Sequence, residues 1–107
     1  MEYQWLKTFC TAAETLNFRK ASERLLMSQP SVTVHIKLLE EHLGSALFDR
    51  QNNRVTLSEA GKYFLPEAQK LVNSTENTIH KMHAFKQGYR QTWTIAISPH
   101  MPETIRP

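Results

Sequence analysis

Three observations predict a mainly α-helical chain with one short β-hairpin and a long closing helix. Apolar residues recur at three- and four-residue steps through residues 3–43, and again from residue 58 to 88. Only residues 47–57 shorten to strand-like runs, around the turn-tolerant segment Gln51-Asn52-Asn53. The chain has 107 residues, 25 of them Leu, Ile, Val or Phe, which suits one small core plus an extension.

The first helix spans about residues 3–16, with Leu6, Phe9, Cys10, Ala13 and Leu16 on one apolar stripe. Asn17 is placed to cap a second helix, in which Phe18, Ala21 and Leu25 turn inward. Leu26-Met27 breaks that pattern and Ser28 offers a new cap. Pro30 falls in the first turn of the third helix, where a missing N–H costs little. Val32, Ile36, Leu39 and Leu43 form its buried stripe, and Gly44 is suited to end it in a left-handed conformation. Leu47–Arg50 and Arg54–Leu57 make a hairpin with a basic residue on each side of its tip. Ser58 then caps the last helix, and Pro66 should bend it near its first two turns. In that helix Phe64, Ala68, Leu71, Thr75, Thr78, Met82 and Phe85 alternate steps of four and three, flanked by Leu65, Val72 and Ile79 at sevens. Gly88 should end it. Trp93, Ile95 and Ile97 alternate with polar or small residues as a strand does.

Composition narrows the function classes. Three Gly and five Pro exclude collagen-like and low-complexity architectures. A single cysteine, Cys10, excludes an internal disulfide framework and a multi-cysteine zinc site, and suits a reducing compartment. No apolar run approaches the ~20 residues that span a bilayer. No basic segment followed by an apolar run opens the chain, so a cytoplasmic protein without membrane association is expected. The net charge is +3, and the excess is local. Arg19, Lys20, Arg24 and Lys37 face only Glu23 within residues 17–37, and Arg50 and Arg54 follow, which points to a basic face.

Two short helices joined by a tight turn, the second apolar on one side only, form a helix-turn-helix pattern. The far side of that second helix carries Pro30, Val34, Lys37 and Glu41, flanked by Ser31 and Thr33. Small, polar and basic residues there suit a helix entering the major groove of DNA.

Phe9 to Gly61 resembles the DNA-binding module of LysR-type transcriptional regulators. The resemblance is carried by Phe18, Ala21-Ser22-Glu23-Arg24-Leu25, Ser28-Gln29-Pro30-Ser31-Val32-Thr33, Ile36, Leu39-Glu40, Leu43-Gly44, Leu47-Phe48-Asp49-Arg50 and Leu57-Ser58-Glu59-Ala60-Gly61. Asn17-Phe18-Arg19-Lys20 with Thr33-Val34-His35 looks closer to the citrate-synthase-regulator branch. The resemblance implies a winged helix-turn-helix over residues 1–57 and a linker helix over 58–88 that dimerises. Residues 89–107 would then be the stub of a two-lobed effector-binding domain, and the chain an N-terminal fragment. Family members often carry a basic residue where this chain has Val34, so the family's sequence preference does not transfer there.

Under that reading Gln29, Ser31, Thr33 and Val34 read base edges, with Pro30 beside them at the start of the helix. Lys37, Arg19 and Lys20 hold phosphates, and Arg50 and Arg54 straddle the minor groove. Phe64, Ala68, Leu71, Val72, Thr75, Ile79 and Met82 form the dimer seam. The expected partners are double-stranded DNA, a second copy of the chain and, only in a full-length protein, a small-molecule effector. No cofactor is implied.

Competing chemistry is thinly supported. His80 with His83, and His35 with His42, lack a third metal ligand. Ser28, Ser31 and Thr33 lack a base with an orienting carboxylate, and no phosphate-binding glycine loop is present, so no enzyme is expected. The alternative is a protein-interaction module that acts through mixed dimers of residues 58–88, although such a module has no need of Arg50 and Arg54.

Overall fold

The structure, a computed structural model, describes residues 1–95, with side chains through residue 88. Its elements are α1 (Tyr3–Thr15), α2 (Phe18–Leu25), α3 (Gln29–Leu43), β1 (Phe48–Gln51), β2 (Arg54–Leu57) and α4 (Glu59–Ile95). This is the predicted three-helix core with a two-stranded wing and a long helix. Residues 1–72 form one compact unit, and a second begins at Asn73.

Local chemistry sets the boundaries within the first unit. Leu16 closes α1 in a left-handed conformation (φ 50°), and its N–H bonds to the Ala12 carbonyl. It is exposed rather than part of the apolar stripe, because that turn swings it off the buried face. The Asn17 side chain accepts the Lys20 N–H at 2.9 Å and starts α2. Leu26 ends α2 at φ 57°, and the Ser28 hydroxyl accepts the Ser31 N–H at 3.2 Å to start α3. Gly44 ends α3 at φ 75°, where glycine meets no side-chain penalty.

Packing is centred on Phe9, which is fully buried. Its ring lies 5.6 Å from those of Phe48 and Phe64, and Phe48 meets Phe18 edge-on at 5.4 Å. These contacts join α1, α2, β1 and the start of α4. Leu6, Ala21, Val32, Ile36, Leu39 and Leu47 complete the core. α1 is buried on a second side as well, through Thr8 and Ala12.

The wing begins one residue later than the sequence predicts, since Leu47 is committed to the core. Phe48 pairs with Leu57, Asp49 with Thr56, Arg50 with Val55 and Gln51 with Arg54. Asn52 and Asn53 both take positive φ (51° and 60°), which a two-residue hairpin turn requires.

A hydrogen-bonded joint ties wing, α3 and α4 together. The Glu40 carboxylate accepts the Leu47 N–H at 2.8 Å, and the Leu47 carbonyl accepts the Ser58 N–H at 3.0 Å. The Ser58 hydroxyl donates to the Ala46 carbonyl at 2.6 Å and accepts the Gly61 N–H at 2.9 Å. Gly61 is required by close approach, because a Cβ there would overlap the Leu47 carbonyl oxygen and come within 2.9 Å of Leu57.

Two expectations for the last helix are corrected. α4 does not stop at Gly88 but continues through Ile95, so Trp93, Thr94 and Ile95 are helical and not a strand. An isolated strand leaves backbone groups without ladder partners, whereas a helix satisfies them within one segment. Ala96 and Ile97, the rest of that expected strand, lie outside the described residues. Pro66 lies inside α4, as expected, and is exposed. No helix among the described residues is long and apolar enough to cross a membrane.

Gly61→Ala should destabilise the first unit by about 2–3 kcal/mol, because the new methyl displaces backbone and not a flexible side chain. Urea unfolding followed by circular dichroism reads this as a lower midpoint with unchanged slope.

Candidate nucleic-acid interface

α3 divides cleanly by burial. Val32, Ile36 and Leu39 are sealed into the core, while Gln29, Pro30, Val34, Lys37 and Glu41 are exposed and Ser31 and Thr33 are half-buried at the flanks. Every α3 residue that the sequence assigns to base or phosphate contact therefore lies outside the core. Val34 is 52% exposed, an unusual position for a β-branched apolar side chain with no core to join. The start of the helix is rigidly set: the Ser28 hydroxyl donates to the Ser31 hydroxyl at 2.9 Å in addition to its capping bond.

The cations differ in their surroundings. The Arg19 guanidinium pairs with Glu23 at 2.8 Å, and Arg24 pairs with Glu14 at 2.8 Å. Both pairs are well exposed, so each yields readily to a stronger anion. Lys20, Lys37 and Arg54 make no ion pair among the described residues. Arg50 lies over the Phe18 ring, 4.8 Å from its centroid. The register puts Arg50 and Arg54 on opposite faces of the hairpin, because side chains alternate along a strand and paired residues share a face.

Several structural roles carry no sequence signal strong enough to read in advance. Thr8 is fully buried, and its hydroxyl lies 2.9 Å from His35 Nδ1, so a polar link joins α1 to α3. The only hint is the i, i+4 spacing of Thr8 and Ala12, two small residues that widen the buried side of α1. His42 is occupied against the Trp5 ring at 6.3 Å. Glu40 is the acceptor that anchors Leu47.

The alternative chemistries find little in the geometry. Burial, with a smaller contribution from Glu14, pushes the Cys10 thiol up to about 11, which suits a core residue and not a nucleophile. No group of three or more metal-ligating side chains occurs among the described residues. A shallow depression lined by Lys37, Glu40, Glu41 and Gly44–Ala46 is open to solvent.

On α4 the expected seam divides in two. Ala68 and Val72 are buried, and Phe64 packs against Phe9, all within the first unit. Ala68 and Val72 are thus buried within the chain itself, and Phe64 is half-buried. Leu71, Ile79, Met82 and Phe85 are exposed, and Thr75 is half-buried.

The sequence model of bacterial regulatory helix-turn-helix proteins of the lysR family matches residues 3–62. The HTH-type transcriptional regulator CitR of Bacillus subtilis is 44% identical over 107 residues, covering 100% of this chain and 37% of that protein. XapR of Escherichia coli, another HTH-type transcriptional regulator, is 39% identical over 83 residues, 78% of this chain and 28% of its own length. Among solved structures, Vibrio fischeri DarR in complex with DNA aligns with a TM-score of 0.76 at 34% identity, covering 81% of this chain and 30% of that one. The CbnR DNA-binding domain in complex with DNA aligns at 0.72 with 33% identity, covering 78% of this chain and 97% of that domain. The chain thus spans little more than a third of the length of CitR.

Proposed function

The chain belongs to the lysR family of bacterial regulatory helix-turn-helix proteins, and from that premise we propose that it is the DNA-binding part of a sequence-specific transcriptional regulator. One observation carries this reading: the outward side of α3 presents Gln29, Ser31, Thr33, Val34 and Lys37 outside the core, next in sequence to a wing bearing Arg50 and Arg54. Gln29, Ser31, Thr33 and Val34 meet base edges in the major groove, with Pro30 packed at the point of closest approach. Arg19, Lys20 and Lys37 hold phosphates, and Arg50 and Arg54 supply the wing's positive charge. The protein acts in the cytoplasm, where its DNA target lies, and in a full-length regulator a small-molecule effector would bind beyond residue 88.

The direct test is a titration with a duplex that the protein selects from a random pool, against a scrambled duplex, at two salt concentrations. Tighter binding to the selected duplex at both salts supports the reading, and equal binding removes it.

A homodimer is part of the proposal. Leu71, Ile79 and Met82 are exposed apolar residues on α4, with Thr75 between them, and a partner helix covering them removes apolar surface from water. Ile79→Asp should give a monomer by light scattering and weaken binding to a two-half-site duplex by at least tenfold. An unchanged dimer places the interface elsewhere.

Arg54 is exposed beside the turn of the wing. Arg54→Ala should weaken specific and non-specific binding together and flatten the log–log salt slope by about 0.9, the value for one phosphate-neutralising charge. A parental slope and affinity would show that Arg54 stands clear of the duplex.

Val34 has a sharper role. Its methyl groups meet a thymine C5-methyl, the group that apolar contact recognises in the major groove. Val34→Ser should cost about 1 kcal/mol of specific affinity and leave non-specific affinity unchanged, since no charge is lost. Uracil placed for thymine at one position of each half-site should weaken the parent but not Val34→Ser. Neutrality of every uracil substitution for the parent removes the methyl contact.

A further inference from the structure

The two wing arginines divide their work. Arg50 shares a hairpin face with Phe48 and Val55, which pack on the core, whereas Arg54 shares the other face with Asp49 and Thr56, both exposed. Arg50 turns toward α2, with its guanidinium carbon 4.8 Å from the centroid of the Phe18 ring. Phe18 is the first residue of α2, directly before Arg19 and Lys20. Its ring is nearly buried and stands edge-on to Phe48 at an interplanar angle of 80°, so the platform beneath the guanidinium is fixed. Arg50 itself is exposed and makes no ion pair among the described residues.

A guanidinium stacked on a ring keeps the N–H groups at its edge available, and those groups match a phosphate in a two-pronged geometry. Holding it in place beforehand also removes much of the entropy cost of ordering a long side chain at binding. Resting on the wing rather than on α2, Arg50 links the two elements through one contact. We propose that Phe18 is a positioning residue for DNA: its ring holds Arg50 on the α2 side of the wing, so that Arg50 and the start of α2 grip one stretch of backbone phosphate. Arg54 alone is then left to the groove. This replaces the picture of two arginines straddling the minor groove, and it rests on the DNA-binding reading above.

A purely structural Arg50, which only shields the edge of Phe18, would alter stability without touching any particular phosphate. The test therefore replaces phosphates of the selected duplex by neutral methylphosphonates, one at a time. It compares the 107-residue parent with Arg50→Gln, Phe18→Leu and Arg54→Gln. One position, or two adjacent ones, should weaken the parent by about tenfold, as expected for a lost charge-assisted bond. Arg50→Gln should be insensitive to that position, Phe18→Leu should lose most of the sensitivity, and Arg54→Gln should keep it. Phe18→Leu should bind intact duplex about threefold more weakly than the parent, and adding it to Arg50→Gln should cost nothing more.

Should Phe18→Leu fail to fold, pentafluorophenylalanine at position 18 retains the ring's shape and reverses its quadrupole. It should reproduce the loss of sensitivity. The proposal is overturned if a folded position-18 variant shows the parent's sensitivity, or if Arg54→Gln abolishes the same position. A parent that binds no duplex at all overturns the DNA-binding reading itself, so the two failures are told apart.

Discussion

The arrangement of this domain depends on how the backbone at Leu47 is held. Its N–H is taken by the Glu40 carboxylate of α3, its carbonyl by the Ser58 N–H at the head of α4, and its side chain fills the core. Three elements therefore meet at one residue of irregular backbone, where buried polar groups without partners would each cost a few kcal/mol. Gly61 allows the approach by having no side chain, and Ser58 closes it by bonding on both sides. The hairpin starts from this point, so the angle at which the wing leaves α3 is set by the core and not by the hairpin's own sequence.

The aromatic residues extend that constraint outward. Phe9, at the centre, touches Phe48 and Phe64, and Phe48 passes the contact on to Phe18. Only at the edge of this chain of rings does a charge appear, with Arg50 lying on Phe18. The interior and the basic face are thus joined through Phe18 itself. The buried Thr8 hydroxyl meets His35 Nδ1 at 2.9 Å, which ties α3 to α1 while Gln29, Val34 and Lys37 stay outside the core.

The residues of α4 differ in burial along its length. Its first turns supply Phe64, Ala68 and Val72 to the core, while Leu71, Ile79 and Met82 remain exposed. A three-four repeat runs through both groups without a break. The periodicity shows that an apolar side exists but not what covers it.

The sequence by itself determined the element order, the three caps at Asn17, Ser28 and Ser58, the left-handed end at Gly44, and the Asn52-Asn53 turn. Each of these rests on chemistry within a few residues of the chain: a side-chain oxygen reaching an N–H three residues on, or a residue that tolerates positive φ. The outward side of α3 was legible for the same reason, since the helical period alone separates Val32 and Ile36 from Val34 and Lys37. What only the tertiary structure decided are the pairings across distance. Among these are the anchoring of Leu47 by Glu40, the link from Thr8 to His35, the opposed directions of Arg50 and Arg54, and the use of Phe64, Ala68 and Val72 by the chain's own core. The far end of α4 belongs with them, because Trp93–Ile95 alternates like a strand and is helical, with no partner strand for it among the described residues. Periodicity records which side of an element is apolar, and only packing settles which partner that side meets.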